Sequence, residues 1–196
     1  ETTGLDYRND ELVGVCLAWR NDDGEIESYY TTLDDARLAL SGAFVFVGHN
    51  TKFDETFLAV SGVDFTFHHD TKIIAWLTNL AVDLGLSVGG EEGRAPSLKQ
   101  LAEVLLGERA TEFRTMLRAF GANDIRGVPI EIAEQYARHD AEWTLRAFET
   151  THPLVAKRGL SDIYELEMQV VPLTRQMEQG WRIDVPKVTE YAKTLT

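Results

Sequence analysis

Glu1 begins the segment Glu-Thr-Thr-Gly-Leu-Asp, and Asp54 closes Gly-His-Asn-Thr-Lys-Phe-Asp at residues 48–54. Tyr136 stands four residues before Asp140 in Tyr-Ala-Arg-His-Asp. In a helix that spacing stacks phenol and carboxylate one turn apart on one face. Three carboxylates are hard oxygen donors of the kind Mg²⁺ or Mn²⁺ takes, and a phenol beside them is placed to orient a water. Gathered at one point, Glu1, Asp54, Tyr136 and Asp140 supply what two-metal hydrolysis of a phosphodiester requires.

Taken singly, each segment has a plainer reading. Tyr136 and Asp140 are also a half-buried tyrosine beside a surface aspartate. Asp54 is equally an acidic residue in the first turn of a helix, where the macrodipole favours it. Asn50 and Lys52 either hold a sugar or phosphate or cap a turn. Thr2, Thr3 and Gly4 let a nucleotide approach the backbone, and Leu5 offers an apolar edge to a base. It is the combination that points to chemistry.

The elements that must position these residues follow from periodicity and punctuation. Residues 12–19 are apolar with β-branched content, Asn21-Asp22-Asp23-Gly24 is a turn, and 25–30 alternates as a returning strand. With the end of a strand at Glu1, a three-stranded antiparallel unit is expected. Residues 32–40 read as a helix capped by Thr32. The run 43–47 (Ala-Phe-Val-Phe-Val) reads as a buried parallel strand that delivers Asp54 near its carboxyl end. Residues 54–61 follow as a helix, 63–67 as a short strand, and 70–80 as a helix capped by Asp70. A Gly-rich, charged loop occupies 84–96. Ser97 caps a helix that Gly107 stops. Residues 108–127 are mixed, and 129–149 form a long helix with Pro129 at its start. Helices at 161–178 and from 185 follow a turn-rich 180–184, with Ile163, Leu166, Val170, Val171 and Leu173 on one apolar stripe. The expected class is α/β, a mixed sheet flanked by helices, with a domain edge near 150–160.

Bulk properties narrow the setting. A chain of 196 residues with 44% hydrophobic content builds one ordinary domain or one plus the start of another. Cys16 is the sole cysteine, so no internal disulfide forms, and its apolar neighbours mark it as a small core residue. No apolar run reaches membrane-spanning length. A net charge of −13 argues against a domain that grips duplex DNA by long-range attraction, but not against a nuclease that meets phosphate through bound cations.

The three segments resemble the motifs of the proofreading 3′→5′ exonuclease domain of family A (bacterial polymerase I-like) DNA polymerases, in the DEDD superfamily with a ribonuclease-H-like fold. Glu1–Asp6 matches the first motif from its glutamate onward, 48–54 the second, and 136–145 the third. Asp70-Thr71, residues 97–102 and Gly107 add to the likeness. Residues 165–184 resemble the start of the polymerase region, where the thumb begins. The resemblance implies an exonuclease domain over 1–155 and the beginning of the polymerase over 156–196. It implies two Mg²⁺ or Mn²⁺ ions held by Glu1, Asp54 and Asp140, with Tyr136 orienting water. The implied substrate is the 3′ end of single-stranded or frayed DNA, contacted by Thr2, Thr3, Leu5, Asn50, Lys52, Arg94 and Phe113. The tyrosine assigns the chain to the tyrosine branch and leaves His139 as a rim side chain. The family's first motif also has an aspartate two residues before Glu1, so a longer protein is expected. The implied setting is the cytoplasm of a bacterium or phage-infected cell, with an organelle as an alternative. A ribonuclease D-like exoribonuclease and an inactive exonuclease-like scaffold are the competing readings.

Overall fold

A computed structural model describes residues 1–86, 95–177, 180 and 182–194. The turn at 21–24 folds as expected: β1 (Val15–Arg20) and β2 (Ile26–Thr31) form an antiparallel hairpin with Val15 opposite Thr31 and Arg20 opposite Ile26. Gly24 takes a positive φ of 79°, which a residue without Cβ adopts freely. Cys16, on β1, is half-buried, and burial pushes its thiol up to about 12. Glu1 and Thr3 run antiparallel beside the approach to β1, through Val13 N–H to Glu1 O (2.8 Å) and Thr3 N–H to Glu11 O (2.9 Å). The expected third strand is reduced to this local pairing: Thr2–Leu12 is an isolated antiparallel bridge, and the sheet of β1 and β2 has two strands.

α1 (Leu33–Leu40) starts at Thr32, whose hydroxyl accepts from Asp35 N–H. The run 43–47 departs from expectation. Only Val47–Gly48 forms a strand, β3, which pairs in parallel with β4 (His69–Asp70). Phe44 and Val45 are 64% and 67% exposed, not buried. The physical reason is that β3 has a ladder on one side only. The expected mixed sheet is therefore drawn as two two-stranded sheets among the described residues. The strand expected at 63–67 does not form; Phe67 N–H bonds the Glu55 carboxylate (3.0 Å) instead.

α2 (Thr51–Val60) begins three residues earlier than expected. The helix capped by Asp70 is α3 (Thr71–Leu77), which ends before left-handed Asn79 and is followed by α4 (Leu80–Asp83). α5 (Leu98–Leu106) has the anticipated caps: Ser97 and Gln100 form a capping box, and Gly107 ends it with φ 68°. α6 (Phe113–Phe120) and a 3₁₀ turn at Ile125–Gly127 lead to α7 (Ile130–Lys157). α7 has 28 residues and runs on through Pro153, past the expected end at 149. It packs on the hairpin, where Arg20 grips Glu149 with two bonds of 2.7 Å and Arg138 donates to Ser28 O (2.9 Å).

α8 (Ser161–Met177) turns back onto α2 and α3 and buries Tyr164 and Val171. The expected stripe is used only in part: Val171 is buried, whereas Ile163, Leu166, Val170 and Leu173 remain exposed. Off the stripe, Tyr164 and Met168 dock the helix in the cluster of Ile74 and Val155. α9 (Val185–Thr194) buries no side chain. No described helix is long and apolar enough to cross a membrane.

Candidate active site

The turn at 48–50 is built for close approach. A Cβ on Gly48 would stand 2.6 Å from the Thr51 methyl and 3.2 Å from the Phe67 ring. Asn50 then takes a left-handed conformation (φ 68°), which asparagine tolerates better than most residues. Asp70 fixes this turn. Only 3% exposed, it accepts from Asn50 N–H (3.0 Å), Thr51 N–H (2.7 Å), Thr51 Oγ1 (3.0 Å) and Lys72 N–H (2.7 Å). One carboxylate therefore caps α3 and holds the start of α2, and α2 carries Asp54 in its first turn. His49 bonds Thr71 Oγ1 (2.9 Å), and burial pushes its imidazole down to about 4, so it is neutral at pH 7.

Asp54, Glu1, Asp140 and Tyr136 come from α2, the N-terminal segment and α7, and they act on one another electrostatically. Burial pushes the Asp54 carboxyl up to about 7, with the Asp70 and Glu1 charges acting in the same direction. Burial also raises Glu1, where Asp140 adds and Lys99 opposes. Asp140 is raised by burial even though the Lys99 ammonium and the Tyr136 hydroxyl both donate to it. Desolvation outweighs both partners. Tyr136 is held above the usual phenol range by burial and then by the Asp140 and Glu1 charges.

Among the described residues no three acidic, histidine or cysteine side chains converge closely enough to hold an ion. The cation at Asp140 is Lys99, whose ammonium pairs with Oδ1. The donor chemistry nonetheless suits a hard divalent ion, since Glu1, Asp54 and Asp140 are all carboxylates and all raised by burial. That is the condition of acidic groups for which a compensating cation would be favourable.

The contact residues expected from sequence fall in different surroundings. Thr2 Oγ1 bonds Gly4 O (2.7 Å), and Thr3 Oγ1 bonds Asp10 (3.2 Å) while accepting from Glu11 N–H (2.9 Å), so both hydroxyls also serve the local turn. Leu5 is 81% exposed. Asn50 and Lys52 line a groove of about 350 Å³ with Lys72 and Trp76, and Val170 of α8 forms part of its wall. Phe113 packs on Tyr136, with ring centroids 5.8 Å apart. Arg94 lies outside the described residues. His139 is exposed and stacks on Trp143, as a rim side chain would. Lys99 was missed by sequence reasoning. Its signal is a lysine on the apolar face of α5, where it is buried with Leu101 and Ala102.

A family model described as 3′-5′ exonuclease, of the DNA polymerase A group, matches residues 1–155. The chain belongs to this family of exonuclease domains, and its α/β fold is ribonuclease-H-like. DNA polymerase DpoZ of Salmonella phage PMBT28 is 28% identical over 94% of this chain and 30% of its own length. DNA polymerase I of Rhizobium leguminosarum is 31% identical over 70% of this chain and 13% of its own length. The chain thus spans a third or less of these relatives. In three dimensions, Brucella melitensis NrnC bound to pGG aligns with a TM-score of 0.64 at 18% identity, over 92% of this chain and 83% of that one. That likeness is one of fold.

Proposed function

We propose that the chain is the proofreading region of a DNA polymerase, hydrolysing the 3′-terminal phosphodiester of single-stranded or frayed DNA to release a nucleoside 5′-monophosphate. The observation that carries this reading is the joint electrostatics of Glu1, Asp54 and Asp140, each raised by burial, with the Tyr136 hydroxyl donating to Asp140. The family match and the polymerase relatives support it.

Glu1 and Asp140 would hold one divalent ion and Asp54 a second. When bound, Mg²⁺ or Mn²⁺ supplies the charge that acidifies the attacking water and stabilises the attacking and leaving oxygens. Tyr136 orients that water. It is no base at neutral pH, because burial and two carboxylates hold its proton more firmly than in a free phenol. Thr2, Thr3, Asn50 and Lys52 contact sugar and phosphate, and Leu5 and Phe113 pack against the last bases. Arg94 is assigned to phosphate on the resemblance alone.

The exonuclease comprises 1–155, and 156–196 begins the polymerase region, whose remaining parts are the natural partner within the same protein. A cytoplasmic setting in a bacterium or phage-infected cell accords with the relatives. An RNA 3′ end would engage the same residues, so paired assays on DNA and RNA single strands decide the substrate. The central test is Asp140→Ala in the intact protein. Metal-dependent 3′ trimming should fall by about 10³-fold or more with circular dichroism unchanged. Undiminished trimming sinks the assignment.

A further inference from the structure

Lys99 is 9% exposed, yet its charged end is not directed to solvent. The ammonium pairs with Asp140 Oδ1 and lies 4.2 Å from the Tyr136 ring centroid and 5.0 Å from that of Trp143. Its place is set by the capping box that starts α5 and by the packing of α5 on α7. A buried carboxylate without a counter-charge is costly, so an ammonium on it stabilises the fold. Lys99 also occupies a carboxylate that a divalent ion would need.

From this geometry we infer that Lys99 is the resident counter-ion of the metal-free site, displaced from Asp140 when a divalent ion binds and retained nearby by the Tyr136 and Trp143 rings. The inference rests on the metal-dependent reading above. It makes Lys99 a positioning residue that sets how tightly the ion is held. The two rings matter because an ammonium over aromatic faces keeps part of its attraction after losing its carboxylate. The displacement therefore costs less than expelling the charge into an apolar wall, and the exchange is reversible. Both rings already flank the ammonium, so the exchange takes place beside the phenol assigned to orient water.

The test follows Mn²⁺ binding to the intact protein by EPR, with melting curves taken with and without the ion. Wild type, Lys99→Met and Lys99→Arg are compared, and Asp140→Asn defines which binding depends on Asp140. Lys99→Met should bind Mn²⁺ about tenfold more tightly, because no resident cation competes. It should melt lower without metal and show a larger rise in Tm with Mn²⁺. Lys99→Arg should stay near wild type in both. A folded Lys99→Met with unchanged or weaker Mn²⁺ binding overturns the inference, since a purely structural lysine would lower stability without tightening the ion.

Should Lys99→Met not fold without metal, wild type alone decides. In protein with ¹⁵N-labelled lysine, the shielded Lys99 ammonium signal should shift on Mg²⁺ addition, and a signal that stays put overturns the exchange. If wild type shows no Asp140-dependent Mn²⁺ binding, the metal reading and this inference fail together. If wild type binds the ion and neither Lys99 readout responds, only the inference fails.

Discussion

At the residue scale, the buried acids of the candidate site behave unlike surface carboxylates, and Asp54 gives the clearest consequence. Its carboxyl ionises at about 7 in the fold against an ordinary 3.8, so folding favours the protonated form. The stability this contributes is complete below 3.8 and is lost as pH rises through about 7. Glu1 and Asp140 are raised too and act in the same direction. Metal-free protein should therefore melt about 5 °C lower at pH 8 than at pH 5, and Asp54→Asn should flatten much of that slope. Mg²⁺ should restore stability at pH 8, because the ion favours the ionised acids. A Tm independent of both pH and metal would contradict this account. The sequence displayed these acids but not their partner: nothing in the string 97–102 pairs Lys99 with a residue 41 positions away.

At the element scale, the second motif depends on Asp70 more than on its own residues. The capping role of Asp70 was legible, since an aspartate before a helical run is a familiar N-cap. Its hold on Asn50 and Thr51 was not, because that contact spans about twenty residues and requires β3 and β4 to be parallel neighbours. Asp70→Ala should therefore cost about 3 kcal/mol, more than a lone cap, because several donors lose their acceptor together. Urea unfolding would measure this, and a loss near that of a simple surface cap would refute the shared role. The variant should also impair trimming, since Asp54 rides on the helix that Asp70 anchors. The caps at Thr32, Ser97 and Gly107 were legible for the opposite reason, each being satisfied within three residues along the chain or, for Gly107, five. Local chemistry can be read locally.

At the scale of the whole molecule, a net charge of −13 implies that few lysines and arginines neutralise substrate phosphates. The salt dependence of single-strand binding should be shallow, with log K against log[salt] no steeper than about −2, corresponding to two or three phosphate contacts. A filter-binding series at fixed Mg²⁺ would measure it, and a slope as steep as those of basic DNA-binding domains would argue against this mode of recognition. The sequence by itself determined most of the helices, the caps at Thr32, Asp70, Ser97 and Gly107, the hairpin, and the carboxylates and phenol assigned to the chemistry. These rest on spacing, periodicity and turn residues, which act over a few positions. Tertiary structure alone decided that the two sheets lie apart with Phe44 and Val45 exposed, and that α7 continues through Pro153. It also decided that α8 docks by Tyr164, Met168 and Val171 while the rest of its apolar stripe stays exposed, and that Lys99 meets Asp140. Each of these outcomes depends on which distant surface a side chain meets, and burial against a partner is a property of the folded chain, not of any window along it.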